Sequence, residues 1–276
     1  MNTPAQTRDV SAGAPTLLGI PLDSNSSYLR GAAGAPPLIR EALHCDSSNL
    51  WTEGGMDLGA SGVLADAGDL KFTSEASAFA EIEAAVGDLL AKRRRPICLG
   101  GDHSVTYPIV KAFAGMFRDL TIVHFDAHPD LYHDFQGNRH SHASPFARIM
   151  EEKLVRRLIQ VGIRTMNGRQ KEQAEKFAVE VVEMRQLPAF EKVRAQAPVY
   201  ISFDMDVLDP AFVPGISHRE PGGMTVREAI AHLHAIRGAV VGADIVEYNP
   251  ARDISQQTAM VCAKILKEIA SNMLAA

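Results

Sequence analysis

The sequence predicts an α/β protein built on a mostly parallel β-sheet with helices on both faces. Two observations predict it: β-rich runs that are apolar on both faces recur along the chain, and segments of helical period separate most of them. In sheets of this kind ligands bind beyond the carboxyl ends of the strands.

The first strands are read at TLLGI (16–20) and GVLAD (62–66). The segment SEASAFAEIEAAVGDLLAK then repeats Phe79, Ile82, Val86 and Leu89 at three- and four-residue steps, one face of a helix. A basic run from Lys92 to Arg95 ends that helix and is expected to be solvated, complementing the helix dipole. Strands follow at PICLG (96–100), LTIVHFD (120–126), RLIQVGI (157–163), VEVVEM (179–184), PVYISFD (198–204) and AVVGADIVE (239–247). That makes about eight strands. In TAMVCAKILKEIASNML, near the end, Val261, Ile265 and Ile269 mark another helical face. With no internal repeat, low-complexity tract or linker, residues 1–276 are expected to form a single domain.

A net charge of −5 gives no electrostatic reason to expect nucleic acid or an anionic membrane as partner. The N-terminal MNTPAQTRDV has no apolar core and sets Arg8 beside Asp9, and no later run reaches the roughly 18 apolar residues that span a bilayer. Cys45, Cys98 and Cys262 form no CxxC pair and fit reduced thiols, with Cys98 in the core. A cytoplasmic protein is the expectation.

Chemistry concentrates in HFDAHPDLYHDFQGNRHSHASPF (124–146), which holds five of the ten histidines and three aspartates. Polar clusters fall where strands should end: GGDHS after PICL, DAHPD after LTIVHF, DMDVLDP after YISF. Strand alternation lets Asp126, His128 and Asp130 share one side, and likewise Asp204 and Asp206. With His103 they make four carboxylates and two imidazoles, whose mutual repulsion and desolvation in one crevice call for cations. Two divalent ions would cancel the charge. An oxygen-rich set without thiolate favours Mn²⁺, with Ni²⁺, Co²⁺, Fe²⁺ or Zn²⁺ as alternatives. Shared carboxylates would hold such ions roughly 3.5–4 Å apart, where a water between them is activated near neutral pH.

In their order and spacing, GGDHS (100–104), DAHPD (126–130) and SFDMDVLDP (202–210) resemble the three signatures of the ureohydrolase family of arginases and agmatinases. The likeness runs nearly end to end. SHASPFARIM, LIQVGIR, DPAFVPGISHREPGGMT and VVGADIVEYNPARD look most like plant-type arginases and their bacterial relatives. The resemblance implies a three-layer αβα fold around an eight-stranded sheet, two Mn²⁺ per chain, hydrolysis of a small guanidino substrate to urea plus an amine, and homotrimers or homohexamers.

Carried onto this chain, it implies one metal held by His103, Asp126, Asp130 and Asp204 and a second by His128, Asp126, Asp204 and Asp206. Asp126 and Asp204 would bridge, and Asp130 would protonate the leaving amine. His142 resembles the family's proton shuttle, for which a neutral imidazole near pH 7 is suited. Glu247 matches the carboxylate that holds the guanidinium, with Thr225 beside it, and Asn138 and His140 are further candidates for substrate contact. Asp102 is expected to orient His103, and Asp209 and Pro210 to shape the turn presenting Asp204 and Asp206. Animal-type arginases carry an acidic residue shortly after GIR, where this chain has Thr165 and Asn167. L-arginine ranks ahead of agmatine, with guanidinobutyrate and guanidine behind. A metallophosphoesterase, hinted at by GNRH, is disfavoured by motif order, and a non-catalytic partner subunit by the intact ligand set.

Overall fold

The strands are β1 (Pro15–Gly19), β2 (Ala65–Asp69), β3 (Arg95–Leu99), β4 (Thr121–Phe125), β5 (Arg157–Ile163), β6 (Glu180–Glu183), β7 (Val199–Asp204) and β8 (Val240–Val246). In the computed structural model, which describes residues 13–189 and 198–275, they form one sheet in the order β2-β1-β3-β8-β7-β4-β5-β6. Every pairing is parallel. The stretch with Arg8 and Asp9 lies outside the described residues.

Alternation along the strands feeds two cores. In β4, Val123 and Phe125 join one core, which α1 (Ala35–Leu43), α6 (Val226–Ala235) and α7 (Gln257–Leu274) cover with Ile39, Leu233 and Leu266. Ile122 joins the other, covered by α2 (Ala78–Ala91), α3 (Thr106–Ala114), α4 (Pro145–Glu151) and α5 (Gly168–Lys176) through Ile82, Phe113, Phe146 and Ala174. This is the expected three-layer αβα arrangement. It positions the site through one topological fact: after β3 the chain passes over two strand places to reach β4, and β7 and β8 fill the gap later. The carboxyl ends of β3, β8, β7 and β4 therefore lie side by side at a switch point, where a crevice opens.

Three local readings change. The second strand begins at Ala65, not Gly62, because it is an edge strand: its Asp66–Asp69 stretch is exposed, while Val63 and Leu64 pack on the core before it. An edge strand needs no apolar pattern. Arg95 is not solvated with Lys92–Arg94; it is the first residue of β3, buried, and its guanidinium donates to the carbonyls of Gly13, at 2.5 Å, and Met273. In α7 the buried face runs through Cys262, Ile265, Leu266 and Ile269, with Val261 on its flank.

Candidate metal centre

Four strand ends deliver the polar side chains. Past β3, Asp102 caps a 3-10 turn at His103–Val105 by accepting the Ser104 amide at 3.0 Å, which sets the His103 backbone. Past β4, Asp126 Oδ1 accepts the His128 amide at 2.5 Å; at the end of β7, Asp204 Oδ1 accepts the Asp206 amide at 2.8 Å. The Ala127 amide donates to Asp206 Oδ1 at 3.1 Å and ties the two loops together. Asp206 lies in a 3-10 turn and Asp126 just past its strand, so carboxylate–amide turns rather than strand alternation aim these groups.

The geometry assembles the six residues singled out as ligands. His103 Nδ1 lies 3.2 Å from Asp126 Oδ2, 3.1 Å from Asp130 Oδ2 and 3.1 Å from Asp204 Oδ2. His128 Nδ1 lies 2.9 Å from Asp206 Oδ2 and 3.4 Å from Asp126 Oδ1. The two oxygens of Asp126 thus face different imidazoles. Asp204 faces His103 with one oxygen and spends the other on the Asp206 amide.

A divalent cation fits this donor set. His103 Nδ1 is buried and has no aligned hydrogen-bond partner. Its other nitrogen, Nε2, sits 3.0 Å from Ser202 Oγ, and that hydroxyl spends its proton on Asp244 Oδ1 at 2.8 Å. Nε2 must then carry a ring proton, so Nδ1, among three carboxylate oxygens that favour its protonation against the cost of burial, is the nitrogen a cation would take by displacing a proton. His124 supports Asp126 in the same manner: Gln160 donates to Nδ1 at 3.1 Å, so Nε2–H donates to Asp126 Oδ2 at 2.8 Å. Phe146 lies tilted against His124 with ring centroids 3.9 Å apart and stands edge-on to His103 at 5.3 Å.

Electrostatics agree. Burial and repulsion from Asp206 and Asp126 push Asp204 well above the usual carboxylate range. Burial brings Asp206 up to about 6 despite the attraction of His128. Without cations the cluster therefore retains protons, which cations must displace. Mn²⁺ affinity is expected to fall as pH drops through 6, by about tenfold per pH unit for each proton displaced. Equilibrium dialysis at pH 8 and pH 6 checks this; equal affinity at both would contradict it.

Beside the centre opens a cavity of about 230 Å³, lined by Asp130, His142, Asp204, Asp206, His218 and Glu247 among others. Glu247 follows β8 with φ at 63°, and Asp130 has φ at 49°, left-handed conformations that cost about 1–3 kcal/mol each and cluster at functional sites. The Glu247 carboxylate accepts the His103 amide at 2.9 Å and lies 3.2 Å from His142 Nδ1. Burial alone would raise its pKa, but His142 and the His103 amide hold it below the usual range, so it is ionised at neutral pH. Burial likewise opposes charge on His142, yet Glu247 lifts it to about 9. The neutral imidazole expected from the sequence is replaced by a charged one, the form that donates a proton.

His218 and Ser27 went unread in the sequence. His218 stacks on His142 at 4.9 Å and Ser27 Oγ lies 2.8 Å from His142 Nε2. His142, His218 and Glu247 bring possible ligand atoms within 4.8 Å of one another, but both nitrogens of His142 are already hydrogen-bonded. Three other candidates stand apart from the cavity lining. Thr225 caps α6, accepting the Glu228 amide at 3.1 Å. The His140 ring lies against Phe79 and Tyr107, and exposed Asn138 donates to Asn25 Oδ1 at 3.1 Å. Asp209 shapes its turn as expected, accepting the Ala211, Gly222 and Gly223 amides.

Comparison with known proteins points the same way. Residues 14–271 match the model of the arginase family. Arginase 1, mitochondrial, of Arabidopsis thaliana is 45% identical over 275 residues, covering 94% of this chain and 80% of that protein. The solved arginase of Medicago truncatula superimposes with a TM-score of 0.90 at 44% identity, over 95% of this chain and 88% of that one. The agmatinase of Bacillus subtilis is 34% identical over 263 residues, 92% of this chain and 89% of its own. These findings correct the cytoplasmic expectation, since similar plant relatives are named mitochondrial or chloroplastic/mitochondrial. Reduced cysteines and a mild acidic charge suit an organelle interior as well as a cytosol, so composition had no power to separate them.

Proposed function

Because this chain belongs to the arginase family, we propose that it hydrolyses the guanidino group of L-arginine to give L-ornithine and urea. The observation that carries this reading is the buried Glu247 carboxylate facing a cavity beside six convergent carboxylate and imidazole side chains of metal-ligating type. His103, Asp126, Asp130 and Asp204 would hold one Mn²⁺, and His128, Asp206, Asp126 and Asp204 the other. Bound there, the two ions would offset the carboxylate charge and supply an activated water as nucleophile.

The chain's own residues do the rest. Glu247 pairs with the guanidinium, a planar fork of donors on a two-oxygen acceptor, and orients its carbon toward the ligand cluster. A guanidinium on Glu247 competes with His142 for that carboxylate and loosens the hold on the imidazole proton. Asp130, at the cavity wall, passes a proton to the leaving amine, and His142 replaces it from the Ser27 side. His218 and Phe146 shield the imidazoles. All these groups come from segments joined by one sheet, which supports reading residues 1–276 as one domain. A homotrimer or homohexamer is the assembly we expect.

L-arginine is placed before agmatine because the arginase relatives are more similar to this chain than the agmatinase. The test is kcat/KM for urea release from arginine, agmatine and guanidinobutyrate by the wild type and Glu247→Gln, with metal content measured. Arginine should rank first. Glu247→Gln should lower kcat/KM by at least about tenfold on every substrate, as expected for a charge-assisted bond worth roughly 1.5–3 kcal/mol, with metal retained. Agmatine ranking first would change the substrate; an unaffected Glu247→Gln would place the guanidinium elsewhere.

A further inference from the structure

The loop between β1 and α1 contributes no metal ligand, yet it lies across the face of His142 that is turned away from Glu247. It is closed on itself by Asp23, whose Oδ2 accepts the Gly31 amide at 2.7 Å and the Ala33 amide at 3.2 Å. At its tip Ser27 meets His142 Nε2. Ser27 and its neighbour Tyr28 are both exposed, and the Tyr28 ring meets the His218 ring at 5.8 Å, tilted. On the far side Ser217 Oγ donates to the Leu29 carbonyl at 2.8 Å and buried Asn249 donates to the Arg30 carbonyl at 3.2 Å. On the near side the Leu22 carbonyl accepts the Asp102 amide at 3.0 Å, and beyond it the ties pass through Asn25. Its amide donates to Asp102 Oδ2 at 2.9 Å and its Nδ2 to Ser104 Oγ at 3.1 Å, on the turn that carries His103. Its Oδ1 accepts from Asn138 Nδ2 at 3.1 Å, and its carbonyl accepts the amide of His142 itself at 3.2 Å.

We propose that Asn25 is a positioning residue for the proton transfer: it joins the Asp23–Gly31 loop, the 102–104 turn and the 138–142 loop, and so fixes His142 between Ser27 and Glu247. Of its four hydrogen bonds to two other segments, one holds the His142 amide directly and three anchor Asn25 itself. The same contacts give Asn138 a purpose, as the outer tie of Asn25 rather than a substrate contact. The proposal rests on the proton role given to His142 above. Asn25 touches neither cavity nor ligand cluster, so its removal should change how well the imidazole is aimed, not how tightly substrate or metal is held.

The experiment compares Asn25→Ala in two backgrounds, wild type and His142→Asn, by kcat, KM and Mn²⁺ content. In the wild-type background Asn25→Ala should lower kcat by roughly 10- to 100-fold, the effect of a misplaced catalytic group, with KM within about twofold and metal content unchanged. In the His142→Asn background the same substitution should have no further effect on kcat, because two residues acting through one group are not additive. An equal loss in both backgrounds, a rise in KM alone, or no loss would overturn the proposal. Should Asn25→Ala fail to fold, Asn138→Ala at the exposed tie reads the same coupling, with a drop of about two- to tenfold in the wild type only; equal drops in both backgrounds, or none, would overturn it. Failure of the underlying reading shows separately: His142→Asn alone would then turn over like the wild type.

Discussion

Asp126→Asn is expected to lower kcat by at least about 10³-fold and to strip the protein of most of its divalent metal, since metal activation supplies several kcal/mol of the barrier reduction. The reason is geometric. Asp126 Oδ2 faces His103 and Oδ1 faces His128, so one carboxylate serves both halves of the centre. Its charge is also held in place: against the cost of burial, His124 and the His103 and His128 imidazoles keep its carboxyl well below the ordinary aspartate range. Asn keeps the shape, loses the charge and presents an amide NH₂ to one imidazole. Asp204→Asn is expected to act in the same direction, while Asp206→Asn, which faces only His128, should cost one ion and spare the other. Metal content by elemental analysis, read with kcat, checks the series. Asp126→Asn with two ions and near-normal turnover would contradict the bridging assignment.

His142→Asn is expected to lower kcat by about 10²–10⁴ with metal content intact, the usual range for a general acid or base. His142 is the imidazole with one nitrogen on Glu247 and the other on Ser27, and His218 stacks against its face. His140→Asn should do far less, because that ring packs against Phe79 and Tyr107 outside the cavity lining. Steady-state kinetics of both variants on arginine decide the matter. The opposite ranking would move the proton transfer to His140.

The six side chains proposed as ligands were legible because their residue types are costly anywhere but at a metal or an ion pair, and because they sit at strand ends that a parallel sheet must bring together. Glu247 and His142 were singled out through the family resemblance, Glu247 also by its place at the end of a strand. The residues that hold these groups were not. Ser202 and Asp244 lie inside strands and look like ordinary polar interruptions, yet together they fix the His103 tautomer. A histidine within the apolar run IVHF was a signal for His124 that periodicity alone did not exploit. Ser27 and Asn25 carry no chemistry of their own and reach His142 only through a loop more than a hundred residues away in sequence. Arg95 and the start of β2 were misplaced because end effects decide them: one buried guanidinium finds two carbonyls, and one edge strand needs no apolar face.

Loaded with two divalent ions, this centre is expected to hydrolyse a guanidino group. Urea released from L-arginine by metal-free protein titrated with Mn²⁺, with bound metal counted in the same samples, decides this. Urea and ornithine should appear in equal amounts, be absent without metal, and reach their full rate at about two ions per chain. Urea release that is indifferent to metal, or its absence at full occupancy from arginine and from every other guanidino compound offered, would contradict the account.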